Sequence, residues 1–247
     1  VHDDLMDGAD TRRGLPAAHR VFARDHEARG WLGRPQTFGA NGAILLGDLL
    51  LSLAGEEMSA LAPSRASSQT RSSAVRYARS AFDARTTEVA LGQYLDILAE
   101  QHPLDPQRAD ALSADAALEV ALHKSAHYSV VHPGVLGAIC GAPSLAQALP
   151  LIEVLETILT PWGLAFQLRD DDLGVFGDPA VTGKPAGDDL REGKRTALLA
   201  LTWEASSPAE RTALANVLGV AEASADEIAV ATQIIERNGR SAHEAEI

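Results

Sequence analysis

The sequence predicts an all-α fold. Ala and Leu dominate it, alternating runs of β-branched residues are nearly absent, and apolar residues recur at helical spacing through most long segments. Its 247 residues suffice for one large domain or two small ones, and 46% hydrophobic content supplies a sizeable core. No internal repeat is visible, so one domain over 1–247 is expected.

The elements can be justified in order. VHDDLMD (1–7) has helical composition but no room for an N-terminal cap. GAILLGDLLLSLAGEEM (42–58) is nearly all apolar and predicts a buried helix, in a core or an interface. PSRASSQTRSS (63–73) is polar and predicts a loop. TTEVALGQYLDILAEQ (86–101) is amphipathic, with Gln93 and Asp96 one turn apart. SADAALEVALHKSAHYSVV (113–131) starts at a Ser113 cap, and Pro133 predicts a break or kink after it. The segment 144–176 is helical in pattern, with interruptions expected at Pro150 and Pro161. SPAE (207–210) and SADE (224–227) are capping boxes, the first with Pro208 at the first helical position. Gly219 and Asn238-Gly239 predict stops, and SAHE (241–244) has the spacing of a third box. Both ends read as cut, so further helices are expected before Val1 and after Ile247.

Charge narrows the function classes. A net charge of −13 argues against nonspecific binding to nucleic acid or anionic membranes. It leaves room for an anionic substrate held by local cations or metal. The single cysteine, Cys140, rules out a disulfide within the chain, and a reducing, cytoplasmic setting is the default. No apolar run reaches transmembrane length, and no integral membrane segment is expected.

Two acidic constellations stand out. The first is Asp3, Asp4 and Asp7, which share one helical face and are followed by Arg12 and Arg13. Like charges ~4 Å apart repel by about 1 kcal/mol even in bulk water, so a cation should compensate. All-oxygen carboxylate sets suit Mg²⁺ or Ca²⁺, and a phosphate-bearing substrate favours Mg²⁺. The second is Asp170, Asp171, Asp172 and Asp178, followed by Lys184, Asp188, Asp189, Arg191, Lys194 and Arg195. That is the pattern of a loop holding an anion beside a metal. An EF-hand register from Asp3 fails, as do both P-loop registers, ending at Lys184 and Lys194. His2, His19, His123, His127 and His132 show no metal-site pattern and read as ordinary helix or loop residues.

These stretches resemble the trans-polyprenyl diphosphate synthases (polyprenyl synthetases), most closely bacterial geranylgeranyl diphosphate synthases of actinobacterial type. HDDLMDGADTRRG resembles the family's first aspartate-rich motif with its trailing Arg-Arg-Gly. FQLRDDDLGVFGDPAVTGKPAGDDLREGKRT resembles the second motif with its lysine loop. HKSA stands where the family has a Lys-Thr pair, and GQYLD where it has Gly-Gln and a following Asp.

The resemblance implies the isoprenoid synthase fold, a helical bundle around a deep central cavity, and a homodimer. It implies that Asp3, Asp4 and Asp7 bind two Mg²⁺, and Asp170 and Asp171 a third. Lys124, Gln167, Lys184 and Lys194 would line the allylic site, with Arg12 on its diphosphate, Ser125 in place of the family Thr, and Gln93 in the matching Gly-Gln pair. Arg13 would serve isopentenyl diphosphate. The implied activity joins isopentenyl diphosphate to an allylic prenyl diphosphate with release of diphosphate, giving a geranylgeranyl or farnesyl product. Gly174 departs from the family, which closes its second motif with Asp, and Asp172 stands at a usually apolar position. A non-catalytic paralogue and a terpene cyclase of the same fold are the alternatives.

Overall fold

The computed structural model describes residues 1–60, 69–178, 180 and 187–247, with the backbone alone described at 69–72. The chain divides into two compact units, Val1–Leu61 with Asp178–Pro185 and Ala62–Gly177 with Ala186–Ile247. Among the described residues the structure is helical apart from one short hairpin, and the all-α expectation holds.

The first unit carries α1 (His2–Met6), the hairpin β1 (Thr11–Arg12) and β2 (Leu15–Pro16), α2 (Ala18–Ala28) and α3 (Pro35–Ala60). Gly39, Ala43 and Gly47 are the buried residues of α3. Their four-residue spacing makes a small-residue face against α1 and α2. A Cβ at Gly39 would lie 2.2 Å from the His19 carbonyl, and one at Gly47 2.2 Å from the His2 ring. The large residues point the other way: Ile44, Leu45, Leu49, Leu50, Leu51 and Leu53 are exposed. The expected buried helix at 42–58 is therefore corrected. Its small residues make the contact, and its large apolar side chains are uncovered.

The second unit carries α4 (Gln69–Gln101), α5 (Ala114–Ala121), a π-helical segment (Leu122–Val131), α6 (His132–Gly141) and α7 (Leu145–Phe176). After it come α8 (Asp188–Glu192), α9 (Ala197–Ala205), α10 (Pro208–Ala215), α11 (Ala225–Asn238) and α12 (Arg240–Glu246). Ser113, Ser144, Thr196, Ser207 and Ser224 each cap a helix by accepting a backbone N–H. Both expected boxes, at 207–210 and 224–227, form in full. The core is built around Trp203, Leu198, Leu214 and Ile235, all essentially inaccessible. Burying each such side chain stabilises by roughly 1.5–3 kcal/mol. The Trp203 indole donates to the Arg108 carbonyl at 2.9 Å, and the buried Arg211 donates to the Ser206 and Pro106 carbonyls, so these two buried polar groups are met.

Several boundaries differ from the sequence pattern. Residues 69–73, read as loop, begin α4, and 63–68 lie outside the described residues. Helix α7 runs unbroken through Pro150 and Pro161, because packing of a long helix can offset the lost hydrogen bond. Pro133 sits in the first turn of α6 rather than breaking the path, and the preceding segment takes π register instead. The third capping box does not form, since α12 starts at Arg240, before Ser241. Helix α10 ends at Ala215, ahead of Gly219. Finally, α3 and α7 are each long and apolar enough to cross a membrane by length and composition. Scattered polar residues, such as Asp48 and Ser52, hide this in a search for unbroken apolar runs.

Candidate active site

The first acidic motif is built by local geometry. In α1, Asp3 and Asp4 occupy the first turn, and Asp7 caps the helix with its N–H on the Asp3 carbonyl at 2.9 Å. The chain then turns at Arg13-Gly14, both with positive φ (53° and 75°). That is the demand of a tight type I′ hairpin turn. The turn pairs Arg12 with Leu15 and folds Arg12 back over the aspartates. Arg12 Nε donates to Asp4 Oδ1 at 2.7 Å, and its Nη2 to Asp3 Oδ2 at 3.2 Å. Burial works against the guanidinium charge, but Asp4, Asp3 and Asp7 outweigh it and raise the Arg12 pKa. Asp4 is buried, whereas Arg13 is exposed at the tip of the turn.

The second motif ends α7. Asp170 is exposed and Asp171 is buried, with Gln167 Nε2 donating to Asp171 Oδ1 at 2.8 Å. Burial pushes the Asp171 carboxyl up to about 8; Gln167 opposes this, while Asp189 and Asp170 add to it. Asp189 comes from α8, and its carboxylate lies directly over Gly174. A Cβ there would be 1.9 Å from Asp189 Oδ2. Lys194 closes the cluster, 3.9 Å from Asp189 Oδ1 and 2.7 Å from Glu192 Oε2. The buried Asp172 takes a salt bridge from Arg169 Nη1 at 2.5 Å. That pair accounts for a charge at a position the sequence pattern leaves unexplained.

A third group lies where α4 meets the π-helical segment. A Cβ at Gly92 would lie 2.6 Å from the Lys124 amide nitrogen, so only glycine permits the crossing. The close approach lets the Lys124 ammonium donate to Asp96. Gln93 and Ser125 are partly buried nearby in sequence, and Gln93 Nε2 has no hydrogen-bond partner. Lys184 lies outside the described residues. Thus Asp3, Asp4 and Arg12 come together in one unit, and Gln167, Asp170, Asp171 and Lys194 in the other.

The exposed side chains Val154, Ile158, Trp162 and Phe166 recur every four residues along α7, and the next step is Asp170. An apolar row thus runs directly into the carboxylates. Sequence reading missed two parts of this picture, Asp189 as a partner of the second motif and the continuity of the row through Pro161. The spacing was a signal for the row; the sequence pattern included Asp189 in the charged stretch after the motif but did not place it over Gly174.

The described residues thus give a helical fold carrying two aspartate-rich motifs, each with cations close by. The polyprenyl synthetase family profile matches residues 1–235, and the chain belongs to that family. A geranylgeranyl pyrophosphate synthase from Corynebacterium glutamicum, complexed with isoprenyl diphosphate and magnesium, superposes with a TM-score of 0.83. It is 40% identical, over 99% of this chain and 64% of that one. A geranylfarnesyl diphosphate synthase of Aeropyrum pernix is 32% identical, and a (2E,6E)-farnesyl diphosphate synthase of Mycobacterium tuberculosis 33%, each over 97% of this chain. The chain spans 64% and 57% of the length of those two relatives. The fold is the all-α isoprenoid synthase fold.

Proposed function

We propose that the chain is the catalytic part of a Mg²⁺-dependent prenyltransferase that joins isopentenyl diphosphate to an allylic prenyl diphosphate and releases diphosphate. The observation that carries this reading is the apolar row Val154–Ile158–Trp162–Phe166 ending at Asp170 and Asp171. Such a surface is matched to a ligand with a hydrocarbon tail and a polyanionic head. The similarity to geranylgeranyl, farnesyl and geranylfarnesyl diphosphate synthases points to the same substrates.

The donor sets fit Mg²⁺. Asp3, Asp4 and Asp7 in one motif, and Asp170 and Asp171 in the other, offer only carboxylate oxygens. The buried Asp171 favours its protonated form without a cation, as a carboxyl awaiting a metal would. In our reading Asp189 supplies, from α8, the carboxylate that Gly174 leaves out. Bound Mg²⁺ would supply charge stabilisation for the departing diphosphate.

The chain's own groups do the rest. Arg12 would move from Asp3 and Asp4 onto the allylic diphosphate, and Arg13 would hold the diphosphate of isopentenyl diphosphate. Lys124, Lys184 and Lys194 would stabilise negative charge as it builds on the leaving group. The apolar row would keep water from the allylic cation, and the Gln167 side-chain carbonyl would offer it a weak dipole. The alkene of isopentenyl diphosphate then attacks, and the released diphosphate takes the proton, so no protein base is needed. Gln93 and Ser125 would border the same allylic site.

The exposed leucines of α3 support a homodimer packed through that helix, and the charge and cysteine content support a cytoplasmic, soluble enzyme. The test is turnover by the full-length protein with Mg²⁺, isopentenyl diphosphate and geranyl or farnesyl diphosphate. A prenyl diphosphate one isoprene unit or more longer is expected. A hydrocarbon formed without isopentenyl diphosphate, or no turnover at all, would overturn the reading.

A further inference from the structure

Among residues that belong to neither aspartate motif, three histidines converge on one carboxylate. Glu88 projects from α4, and His123, His127 and His132 come from the π-helical segment and the start of α6. His123 Nδ1 lies 2.8 Å and His127 Nδ1 2.5 Å from the same oxygen, Glu88 Oε1. One ligand atom from each of Glu88, His123 and His127 falls within 4.8 Å of the others. A tetrahedral ion with bonds of ~2.0 Å spaces its ligand atoms ~3.3 Å apart, so each nitrogen needs to part from Glu88 Oε1 by less than ~1 Å to admit one.

The surroundings are those of a metal site. The remaining nitrogen of His123, Nε2, faces Glu119 Oε2 at 3.4 Å. A metal-bound imidazole commonly presents its other N–H to a carboxylate in this way. Arg85 donates to the second Glu88 oxygen at 2.9 Å, leaving Oε1 to the histidines. Its charge opposes a nearby cation, but Glu156, 3.4 Å from Arg85, offsets part of that. The third ring backs the carboxylate. His132 is 95% buried, its Nε2 has no hydrogen bond, and that atom points at Glu88 Oε2 from 3.6 Å.

The local backbone serves this convergence. In an α-helix, residues five apart are rotated by roughly 140°, which would turn His132 away from His127. The π register, where the His132 N–H reaches the His127 carbonyl, brings those two rings to 5.3 Å. π-Helical turns are rare and gather at functional sites.

We propose that Glu88, His123 and His127 bind a divalent transition-metal ion of the Zn²⁺ class, with water in the fourth position and His132 behind the carboxylate. Two imidazoles and a carboxylate select such an ion over Mg²⁺, which the aspartate motifs favour. The ion would clamp α4 to the π-helical segment, the same two elements that Gly92 and the Asp96–Lys124 pair bring together. The site is thus a clamp beside Lys124, not a part of the transfer chemistry, and it stands whether or not the proposed activity does.

The test is Co²⁺ titration of the purified protein in excess Mg²⁺, which keeps the aspartate motifs occupied. One equivalent of Co²⁺ should develop visible d–d absorption well above that of the aqueous ion, and Zn²⁺ should displace it. Zn²⁺ should also raise the melting temperature by mass action. Both effects should vanish in His127→Gln and Glu88→Gln and persist in His102→Ala, which changes an exposed histidine outside the cluster. Circular dichroism establishes that each variant is folded, and the wild-type titration decides the matter if the variants are not. Absence of saturable absorption in the wild type, or its survival in folded His127→Gln, would overturn the site.

Discussion

The two aspartate motifs read almost alike as sequence and differ sharply as electrostatics. In the first, Asp3 and Asp4 already hold a cation, because the Arg13-Gly14 turn folds Arg12 onto them. In the second, Asp171 is buried, accepts a hydrogen bond from the neutral Gln167 amide, and sits near Asp170 and Asp189, which outweigh Lys194, so its carboxyl favours the protonated form. The first motif offsets part of its charge from within. The second keeps an imbalance at Asp171 that a bound cation would relieve. Motif letters give the donor atoms, and the surrounding fold decides which set is costly while empty.

The largest effect expected from breaking this pair of motifs is on turnover. Asp3→Ala and Asp170→Ala should each lower kcat by at least ~10²-fold, the scale of losing one stabiliser of developing charge. Diphosphate release by the full-length protein measures it, and wild-type turnover in either variant would remove that residue from the site.

Stability should move the other way at Asp171. Its carboxyl is about 8 in the folded chain against ~3.9 unfolded, so between those values the folded state holds the extra proton and metal-free stability falls as pH rises. Asp171→Asn keeps the Gln167 hydrogen bond and removes the slope. It should stabilise the metal-free protein by a few kcal/mol near pH 8 and by little near pH 4, on the order set by the shift. Denaturant melts at the two pH values check this.

A smaller effect is expected at Gly174. Gly174→Asp must displace the Asp189 carboxylate, so Mg²⁺ binding should weaken roughly 10-fold, with Asp189→Gly in the same chain recovering most of it as a coupled pair. Calorimetric Mg²⁺ titrations of the two single variants and the double variant would measure the coupling. The smallest effect belongs to the first motif. Arg12→Gln should cost metal-free stability about 1 kcal/mol or less, since its ion pairs are partly exposed. A denaturant midpoint that shifts more than the Asp171→Asn midpoint would reverse the contrast between the motifs.

Much of this was legible in the sequence. Apolar spacing and serine caps marked the helices at 113–131, 144–176, 207–215 and 224–238, and the paired aspartates marked both acidic motifs. What escaped depended on contacts distant in sequence or on backbone register. Pro150 and Pro161 read as breaks because local propensity carries no information on the packing of α7. The leucines of 42–58 read as buried because composition cannot say that Gly39, Ala43 and Gly47 make the contact instead. Asp189 over Gly174 joins α8 to α7 between residues 15 apart in sequence. The histidines looked ordinary because Glu88 is 35 residues from His123 and because only the π register brings His132 alongside His127.

The central claim, that the acidic motifs and the apolar row serve prenyl transfer, is tested most directly by mass analysis of the product. Full-length protein, Mg²⁺, isopentenyl diphosphate and an allylic primer should give an extended all-trans prenyl diphosphate with one diphosphate released per unit added. Folded, Mg²⁺-loaded protein that releases no diphosphate from any of these primers would contradict the account.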